Sequence, residues 1–226
     1  MLDSDFLNYV IEQEIPAGER LPTLVKISDD IGISVGKLRE QLEVARSMGL
    51  VSVRPRVGTL RESFDFRPPV RDSALFGLAS GEAKFEHFSQ LRRSIEAGLW
   101  AEAVTQLRPE DEERLQELLS KAWAKLRGNA VHIPNQEHRQ LHLTIFSRLE
   151  NPFVKGILEA YWDIYEASEL TRWASYEYWI EVWNYHERIV EAIQNQEYEL
   201  GRKLLVEHFE LLPTVSSAIS SNGEPG

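Results

Sequence analysis

Apolar residues recur at intervals of three and four along most of this chain, and they alternate with polar residues over one short stretch. The first pattern places side chains on one face of an α-helix, and the second is typical of a half-buried strand. Together they predict a mainly α fold. Helices are predicted over residues 5–14, 24–31, 35–49, 83–107, 109–126, 135–148, 152–170, 176–194 and 197–218.

The N-terminal part of the pattern predicts a winged helix-turn-helix. Gly32 is suited to end one helix, and Ser34 is suited to cap the next. The stretch LVSVRPRVGTLRE then alternates in polarity, turns through Pro55 and Gly58, and resumes as a short strand. This is the pattern of a β-hairpin wing that follows the second helix of the motif.

Pro68 and Pro69 are predicted to break regular structure between two domains. We therefore predict a winged helix-turn-helix domain over residues 1–63, a linker over 64–81, and an all-α helical bundle over 82–226. The final residues SSAISSNGEPG are predicted to be disordered. The chain has no run of about 18 apolar residues and its N-terminus is too acidic for a secretory signal, so we expect no membrane span and a cytoplasmic protein.

The charge of the chain is distributed unevenly. The net charge of −11 argues against nucleic acid as a partner, but residues 20–61 contain eight basic and four acidic residues, a local excess of +4. This local excess favours DNA binding by the helix-turn-helix. The basic residues are Arg20, Lys26, Lys37, Arg39, Arg46, Arg54, Arg56 and Arg61.

A helix that enters the major groove needs basic residues at its N-terminal end and small residues that allow close approach. The start of the third predicted helix supplies both kinds, in Ser34, Gly36, Lys37 and Arg39. Arg54 and Arg56 on the wing can reach phosphates or the minor groove, and the predicted DNA-binding set also includes Gly58 in the turn of the wing. Any one of these charges alone would be interpreted as a solvated surface residue, whereas the cluster favours DNA.

Histidines stand on the apolar faces of three predicted helices. His138 and His142 lie four residues apart and can chelate one ion through side chains on the same face. His186 and His208 lie on apolar faces of two later helices, whereas His87 and His132 are interpreted as surface or capping residues. For any single buried histidine, a core residue with satisfied ring nitrogens is the alternative. The chain has no cysteine, so imidazole and carboxylate would have to hold any transition metal.

The stretch ERLPTLVKISDDIGISVGKLREQLEVARSMGLVSVRPRVGT resembles the winged helix-turn-helix of the GntR family of bacterial transcription regulators. Val25 stands where that family has arginine, and residues 35–37 replace the Arg-Thr-Pro that normally begins its recognition helix. Arg39 is therefore the main DNA contact of the family that this helix keeps. The matching positions are Leu21, Pro22, Gly32, Ser34, Arg39, Glu40, Leu42, Gly49, Leu50, Val51, Gly58 and Thr59.

The second predicted domain resembles the FCD domain, the ligand-binding half of FadR-like members of that family. LRRSIEAGLWAEAV follows the pattern L-R-x-x-L-E of its first helix, and EHRQLHLTIFSRLENPFV follows D-x-x-F-H-x-x-L with a later N-P. His138 takes the position of the usual aspartate. The resemblance implies a metal site whose ligands are His138, His142, His186 and His208.

The resemblance also implies a small carboxylate effector, with Arg92 as the candidate for a bidentate contact. An ordinary helix-surface salt bridge from Arg92 to Glu96 is the alternative. Ligation by imidazole alone suits a divalent transition metal, for which we expect Zn²⁺ or Ni²⁺, better than hard ions such as Mn²⁺. A stretch rich in tryptophan contains Trp162, Trp173, Trp179 and Trp183, which could shape an effector pocket, although the core or a dimer face is the simpler interpretation.

These features predict a homodimeric regulator that binds a double-stranded DNA operator and responds to a small organic acid held at the metal site. A regulator that senses the ion itself is the main alternative. A metal-dependent enzyme ranks lower, because a shell of four histidines leaves no obvious open position and no catalytic base accompanies it. We therefore predict no enzymatic activity.

Overall fold

The computed structural model describes residues 2–168 and 174–211. The chain divides into two compact units, one that extends to Ser73 and one that begins at Ala74. Within the described residues, every helix is too short or too polar to span a bilayer. The predicted disordered tail and the last part of the helix predicted over 197–218 lie outside the described residues.

The first unit is a helix-turn-helix followed by a two-stranded antiparallel sheet, as predicted. Thr23 and Ser34 cap the second and third helices through their side-chain oxygens, and Gly32 ends the second helix with a φ of 71°, a conformation that favours glycine. The elements are α1 Asp5–Glu12, α2 Leu24–Ile31, α3 Val35–Ser47, β1 Val51–Arg54 and β2 Gly58–Arg61.

One apolar cluster holds this unit together, and the hairpin is tied to it by backbone hydrogen bonds. In the sheet, Val51 is paired with Arg61. Leu21 N–H donates to the Thr59 carbonyl at 2.8 Å, which fixes the wing against the segment that precedes α2. The cluster consists of Phe6, Tyr9, Val10, Leu21, Ile27, Leu38, Leu42, Ala45 and Val51.

The stretch predicted to break regular structure is helical over most of its length. Helix α4 spans Arg67–Ala79, so the prediction of an irregular linker is wrong there. Pro68 and Pro69 stand in the first turn, where backbone N–H groups have no helical partner, and a proline there removes no hydrogen bond. A proline pair therefore marks the start of this helix and not an interruption of it.

The second unit, from Ala74 onward, consists of helices. Helix α9 packs against α6 and α10, while α5 packs against α8 and α10. This arrangement matches the predicted helical bundle, although four helices are shorter than predicted. Helix α5 is two residues shorter at each end, α7 and α8 each end three residues earlier, and α10 begins one residue later and ends at Phe209. The helices are α5 Phe85–Thr105, α6 Pro109–Leu126, α7 Asn135–Ile145, α8 Pro152–Ala167, α9 Tyr176–Gln194 and α10 Tyr198–Phe209.

Candidate metal centre and DNA-binding surface

The four histidines of interest converge in the core of the second unit. His138 and His142 come from α7, His186 comes from α9 and His208 comes from α10. All four side chains are buried. Each of the four rings lies within 6 Å of the other three, centroid to centroid. Three helices thus bring together residues that are up to 70 positions apart in the chain.

The geometry of the cluster suits one ion. One nitrogen from each ring can be chosen so that the four atoms lie within 4.8 Å of one another. The Nε2 atoms of His142 and His186 are 3.2 Å apart. Bonds of about 2.0–2.1 Å to a tetrahedral zinc ion would place two ligand nitrogens about 3.4 Å apart. The residues present therefore fit a divalent transition metal, with small movements of the rings.

The environment of the four histidines favours their neutral form. Burial lowers the pKa of each ring well below its ordinary value of 6.5, and neighbouring positive charge lowers it further. Both ring nitrogens of His138 lack a hydrogen-bond partner among the described residues, and so do the Nδ1 atoms of His186 and His208. A buried polar atom without a partner is costly. A ligand such as a metal ion would remove part of that cost.

Arg92 and Glu96 form a buried ion pair next to the histidines. Arg92 Nε and Nη2 donate to the two carboxylate oxygens of Glu96 at 2.7 and 3.2 Å, and both side chains are at most 1% exposed. The alternative predicted for Arg92, a pair with Glu96, is thus present, but it lies in the core and not on the surface. Burial raises the pKa of the Glu96 carboxyl, although Arg92 opposes the shift.

His142 contacts both members of this ion pair through Nδ1. Arg92 Nη2 lies 2.9 Å from that nitrogen, and Glu96 Oε2 lies 3.2 Å from it. If Nδ1 carries the proton, it donates to Glu96 and leaves Nε2 free to bind a metal ion. If Nδ1 lacks the proton, it accepts from Arg92, and Nε2–H faces His186. A metal ion held by Nε2 would therefore favour the contact of Nδ1–H with Glu96 and would leave one Arg92 donor without this acceptor.

Sequence reasoning missed the role of Glu96 as a partner of His142. The i, i+4 spacing of Arg92 and Glu96 on α5 is visible in the sequence, but the packing that brings α7 against this pair is not. The carboxylate–histidine contact is typical of metal sites, where it fixes the tautomer of the ligand. His87 and His132 are both exposed, as predicted for surface residues. His87 also acts as a capping residue, because its Nδ1 accepts from the backbone N–H of Lys84 at the start of α5.

Three tryptophan side chains surround His138. The ring centroids of Trp162, Trp179 and Trp183 lie 4.7, 6.1 and 6.3 Å from that of His138. Trp162 also lies beneath the guanidinium carbon of Arg92 at 4.8 Å. Of the tryptophans discussed for this stretch, Trp173 lies outside the described residues. The other three pack around the histidine cluster in the core, so the interpretation as a dimer face does not hold for these side chains.

The predicted recognition residues occupy the start of α3. Ser34 Oγ accepts from the backbone N–H of Lys37 at 3.3 Å, and the helix begins at Val35 with Gly36 exposed. Arg39 is exposed and has no ion pair or side-chain hydrogen bond among the described residues. Lys37 forms an ion pair with Asp5 of α1 at 2.8 Å. The chain separation of Lys37 and Asp5 hid this contact from sequence reasoning.

The wing presents its basic residues at the surface. Arg54 pairs with Glu62 at 3.3 Å, and its side chain is 59% exposed. Arg56 is exposed in the turn with a φ of 64°. Gly58 has a φ of 105°, and a Cβ there would lie 2.9 Å from Arg20 Nε. Gly58 therefore shapes the wing through its backbone, because a side chain would be strained and crowded there.

Comparison with known proteins identifies a domain family and a relative described as a transcriptional regulator. The FCD domain family matches residues 87–211. YcbG of Bacillus subtilis (strain 168), an uncharacterized HTH-type transcriptional regulator, is 23% identical to this chain over 148 residues, which are 65% of this chain and 60% of YcbG. The match thus spans less than two thirds of that relative.

Two solved structures are similar to the chain over most of its length. Streptococcus agalactiae GntR gives a TM-score of 0.62 at 15% identity and covers 91% of this chain and 93% of its own. E. coli McbR/YncC gives a TM-score of 0.49 at 22% identity, and the match covers 95% of this chain and 92% of the McbR/YncC chain. The FCD match includes more than half of the residues, and a winged helix-turn-helix precedes it. The chain therefore belongs to the GntR family of transcription regulators, in the FadR-like branch with an FCD domain.

Proposed function

We propose that this regulator binds a double-stranded DNA operator as a homodimer, and that a small organic acid bound at the four-histidine metal centre modulates that binding. Action on the chromosome implies a cytoplasmic location. The family consists of regulators and not enzymes, which agrees with the prediction of no enzymatic activity. The observation that carries the effector part is the buried cluster of His138, His142, His186 and His208.

The surface of α3 and the wing supports the DNA-binding part. Arg39, Arg54 and Arg56 are exposed, and the small residues Ser34 and Gly36 flank the start of α3, which allows close approach to base edges. A homodimer would present two such helices to two operator half-sites. Phosphate contacts by the basic residues would make binding fall steeply with salt.

Charge explains why a carboxylate would join the metal. Four neutral imidazoles leave both charges of a divalent ion uncompensated, and the nearby Arg92–Glu96 pair is neutral as a whole. An acid would bring the missing negative charge, and metal binding at His142 would release an Arg92 donor to meet it. Zn²⁺ or Ni²⁺ is the expected ion, because both accept imidazole ligation. When bound, the ion would supply a positive charge that attracts the acid.

Operator binding by metal-loaded and metal-free protein tests the proposal. Genomic fragments are first selected at low salt, and the affinity of the best fragment is then measured with zinc, without zinc, and with zinc plus a set of small carboxylates. We expect one carboxylate to change the affinity only when zinc is present. A change with zinc alone, equal for all acids, would instead indicate a sensor of the ion.

Variants of Arg39 and Glu43 provide the control for the DNA contact. Arg39→Ala should weaken binding about tenfold or more, since a specific base contact contributes about 1–3 kcal/mol. Glu43, on the same helix, pairs with Arg46 at the surface, and Glu43→Ala should not weaken binding. The regulator hypothesis fails if no fragment is preferred over random DNA and Arg39→Ala behaves as wild type.

A further inference from the structure

Three buried indole groups beside the metal centre have no hydrogen-bond acceptor. Trp162, Trp179 and Trp183 are at most 1% exposed, and the Nε1 atom of each lacks a partner among the described residues. All three rings lie around His138, and Trp183 also packs against His186 with centroids 4.8 Å apart. Buried tryptophan N–H groups usually find a partner. The rings that carry these three unpaired donors pack around one histidine, so this is the part of the core where an acceptor would satisfy the most buried N–H groups.

Two other tryptophans in the same unit do not combine an unpaired indole N–H with a position beside the histidine cluster. Trp100 is fully buried in the same core, and its Nε1 donates to the Tyr198 carbonyl at 2.7 Å. Trp123 has an unpaired Nε1, but its ring is covered by Arg127 at 3.9 Å and is 9% exposed. Among the described residues, Trp100 packs against Phe146 and Trp123 against Arg127, and neither ring has a recorded contact with a histidine of the cluster. Trp123 is therefore a matched control for the loss of an unpaired N–H away from the site.

The protein itself offers these indoles few acceptors. Indole donates and does not accept. Glu96 is the buried carboxylate beside the cluster, and its oxygens already face Arg92 and His142. Metal binding would use the lone pairs of the ligating ring nitrogens. Because none of the three indole N–H groups has an acceptor among the described residues, a bound molecule can supply the acceptor atoms, and several donors around one cation favour a molecule rich in anionic oxygen.

We propose that Trp162, Trp179 and Trp183 are the specificity-determining residues of the effector site, and that they donate their indole N–H groups to a small dicarboxylate whose other oxygens face the ion. This inference rests on the metal-centred effector site proposed above. An indole N–H group cannot form a hydrogen bond with an ammonium group, because both are donors. The three tryptophans therefore disfavour an amino acid of the same length as the dicarboxylate. The tryptophans thus select for acceptor oxygens, while the metal and Arg92 supply the attraction for negative charge.

Nuclear magnetic resonance of the indole N–H groups tests the proposal directly. Full-length, zinc-loaded protein labelled with ¹⁵N is titrated with succinate, and the indole signals are assigned by single Trp→Phe variants. We expect the signals of Trp162, Trp179 and Trp183 to shift downfield as they gain an anionic acceptor. The signals of Trp100 and Trp123 should stay in place, because neither contacts the cluster.

Affinity measurements give an independent readout. Each of Trp162→Phe, Trp179→Phe and Trp183→Phe should weaken succinate binding about tenfold, the effect of one hydrogen bond to a charged group, and should keep its zinc. Trp123→Phe should bind succinate like wild type. β-Alanine, which carries an ammonium group in place of one carboxylate, should bind wild type at least tenfold more weakly than succinate.

The outcomes separate this inference from the function on which it rests. If the Phe variants keep their zinc and bind succinate with unchanged affinity, or if the three indole signals do not move on saturation, the inference is wrong and the metal centre stands. A wild-type protein that takes up no zinc would overturn both. Zinc content and melting curves of every variant identify any that fails to fold, and the titration of wild type needs no variant.

Discussion

The two units of this protein hold their candidate functional residues in opposite environments. In the first unit, Lys37, Arg39 and Arg54 stand in water, where their charges are solvated. In the second unit, Arg92 and His142 are almost completely buried. A charge in water needs no partner, whereas a buried polar group must find one or reduce stability. Unpaired atoms are therefore informative about ligands in the second unit and carry little information in the first.

The same difference determines how much each ion pair contributes. The Lys37–Asp5 pair is 54% and 39% exposed, and such pairs contribute about 0–1 kcal/mol. The Arg92–Glu96 pair is at most 1% exposed, so removal of one partner leaves a buried charge. We expect changes in the core to act on stability and ligand binding, and changes on the surface to act on DNA binding.

The largest effect is expected from Glu96→Gln. This change leaves Arg92 buried and without its charge partner, so the free energy of unfolding should fall by about 3–5 kcal/mol. Urea denaturation of metal-free protein measures it. Glu117→Gln is the control, because Glu117 pairs with Arg114 and Lys121 at the surface and should cost less than about 1 kcal/mol. A loss of similar size in both variants would contradict the difference between core and surface.

Metal removal should have the next largest effect. An ion that binds only the folded protein stabilises it by about 2.7 kcal/mol at a concentration one hundred times its Kd. Chelation should therefore lower the melting temperature of wild type, which should carry about one ion per chain as purified. His208→Ala should lose most of the metal and most of this response, while His87→Ala, changed at an exposed capping residue, should lose neither.

His138→Asp refines that prediction. The variant restores the ligand that the family pattern has at this position, so it should keep a metal site and bind Mn²⁺ more tightly relative to Zn²⁺ than wild type does. Metal analysis after exposure to equal concentrations of the two ions measures the shift. Full metal occupancy in His208→Ala, or a metal-free wild type, would mean that the four histidines are core residues.

The pH dependence of stability, compared between wild type and a variant that lacks one histidine, gives a smaller and separate test. The folded-state pKa of each clustered histidine is lowered from 6.5, first by burial, so the unfolded chain binds protons that the folded chain does not. Stability should be complete above pH 6.5 and should be lost as pH falls below it. Each histidine contributes up to about 1.4 kcal/mol per pH unit. Metal-free His208→Ala should show a shallower decline than metal-free wild type, and equal slopes would contradict the burial of His208.

The smallest effect is expected at the surface. Asp5→Asn should free Lys37 from its ion pair and strengthen operator binding a few-fold at low salt, since an exposed pair is worth less than about 1 kcal/mol. Salt should abolish much of the gain. Asp3→Asn makes the same change of charge on an exposed residue without an ion pair among the described residues. If the two variants strengthen binding equally, the effect comes from net charge and not from Lys37.

Interactions within one element could be predicted from the sequence. The spacing of Leu38, Leu42 and Ala45 places them on one face of α3, and all three are buried there. His138 and His142 share a face of α7 for the same reason. Helical geometry relates residues three and four apart whatever surrounds them. Helix α4 is the one local prediction discussed above that was wrong. Pro68 and Pro69 were interpreted as helix breakers, but they lie in the first turn of α4, where a proline removes no helical hydrogen bond.

Contacts between elements were decided by the tertiary structure. The family pattern implied that His186 and His208 join the pair on α7, but spacing alone cannot show that α9 and α10 pack so that the rings meet. Nor could it show that Arg92 and Glu96 are buried beside His142, or that Asp5 reaches Lys37. Hydrophobic periodicity states which face of a helix is buried, whereas the neighbours of that face depend on the packing of distant segments.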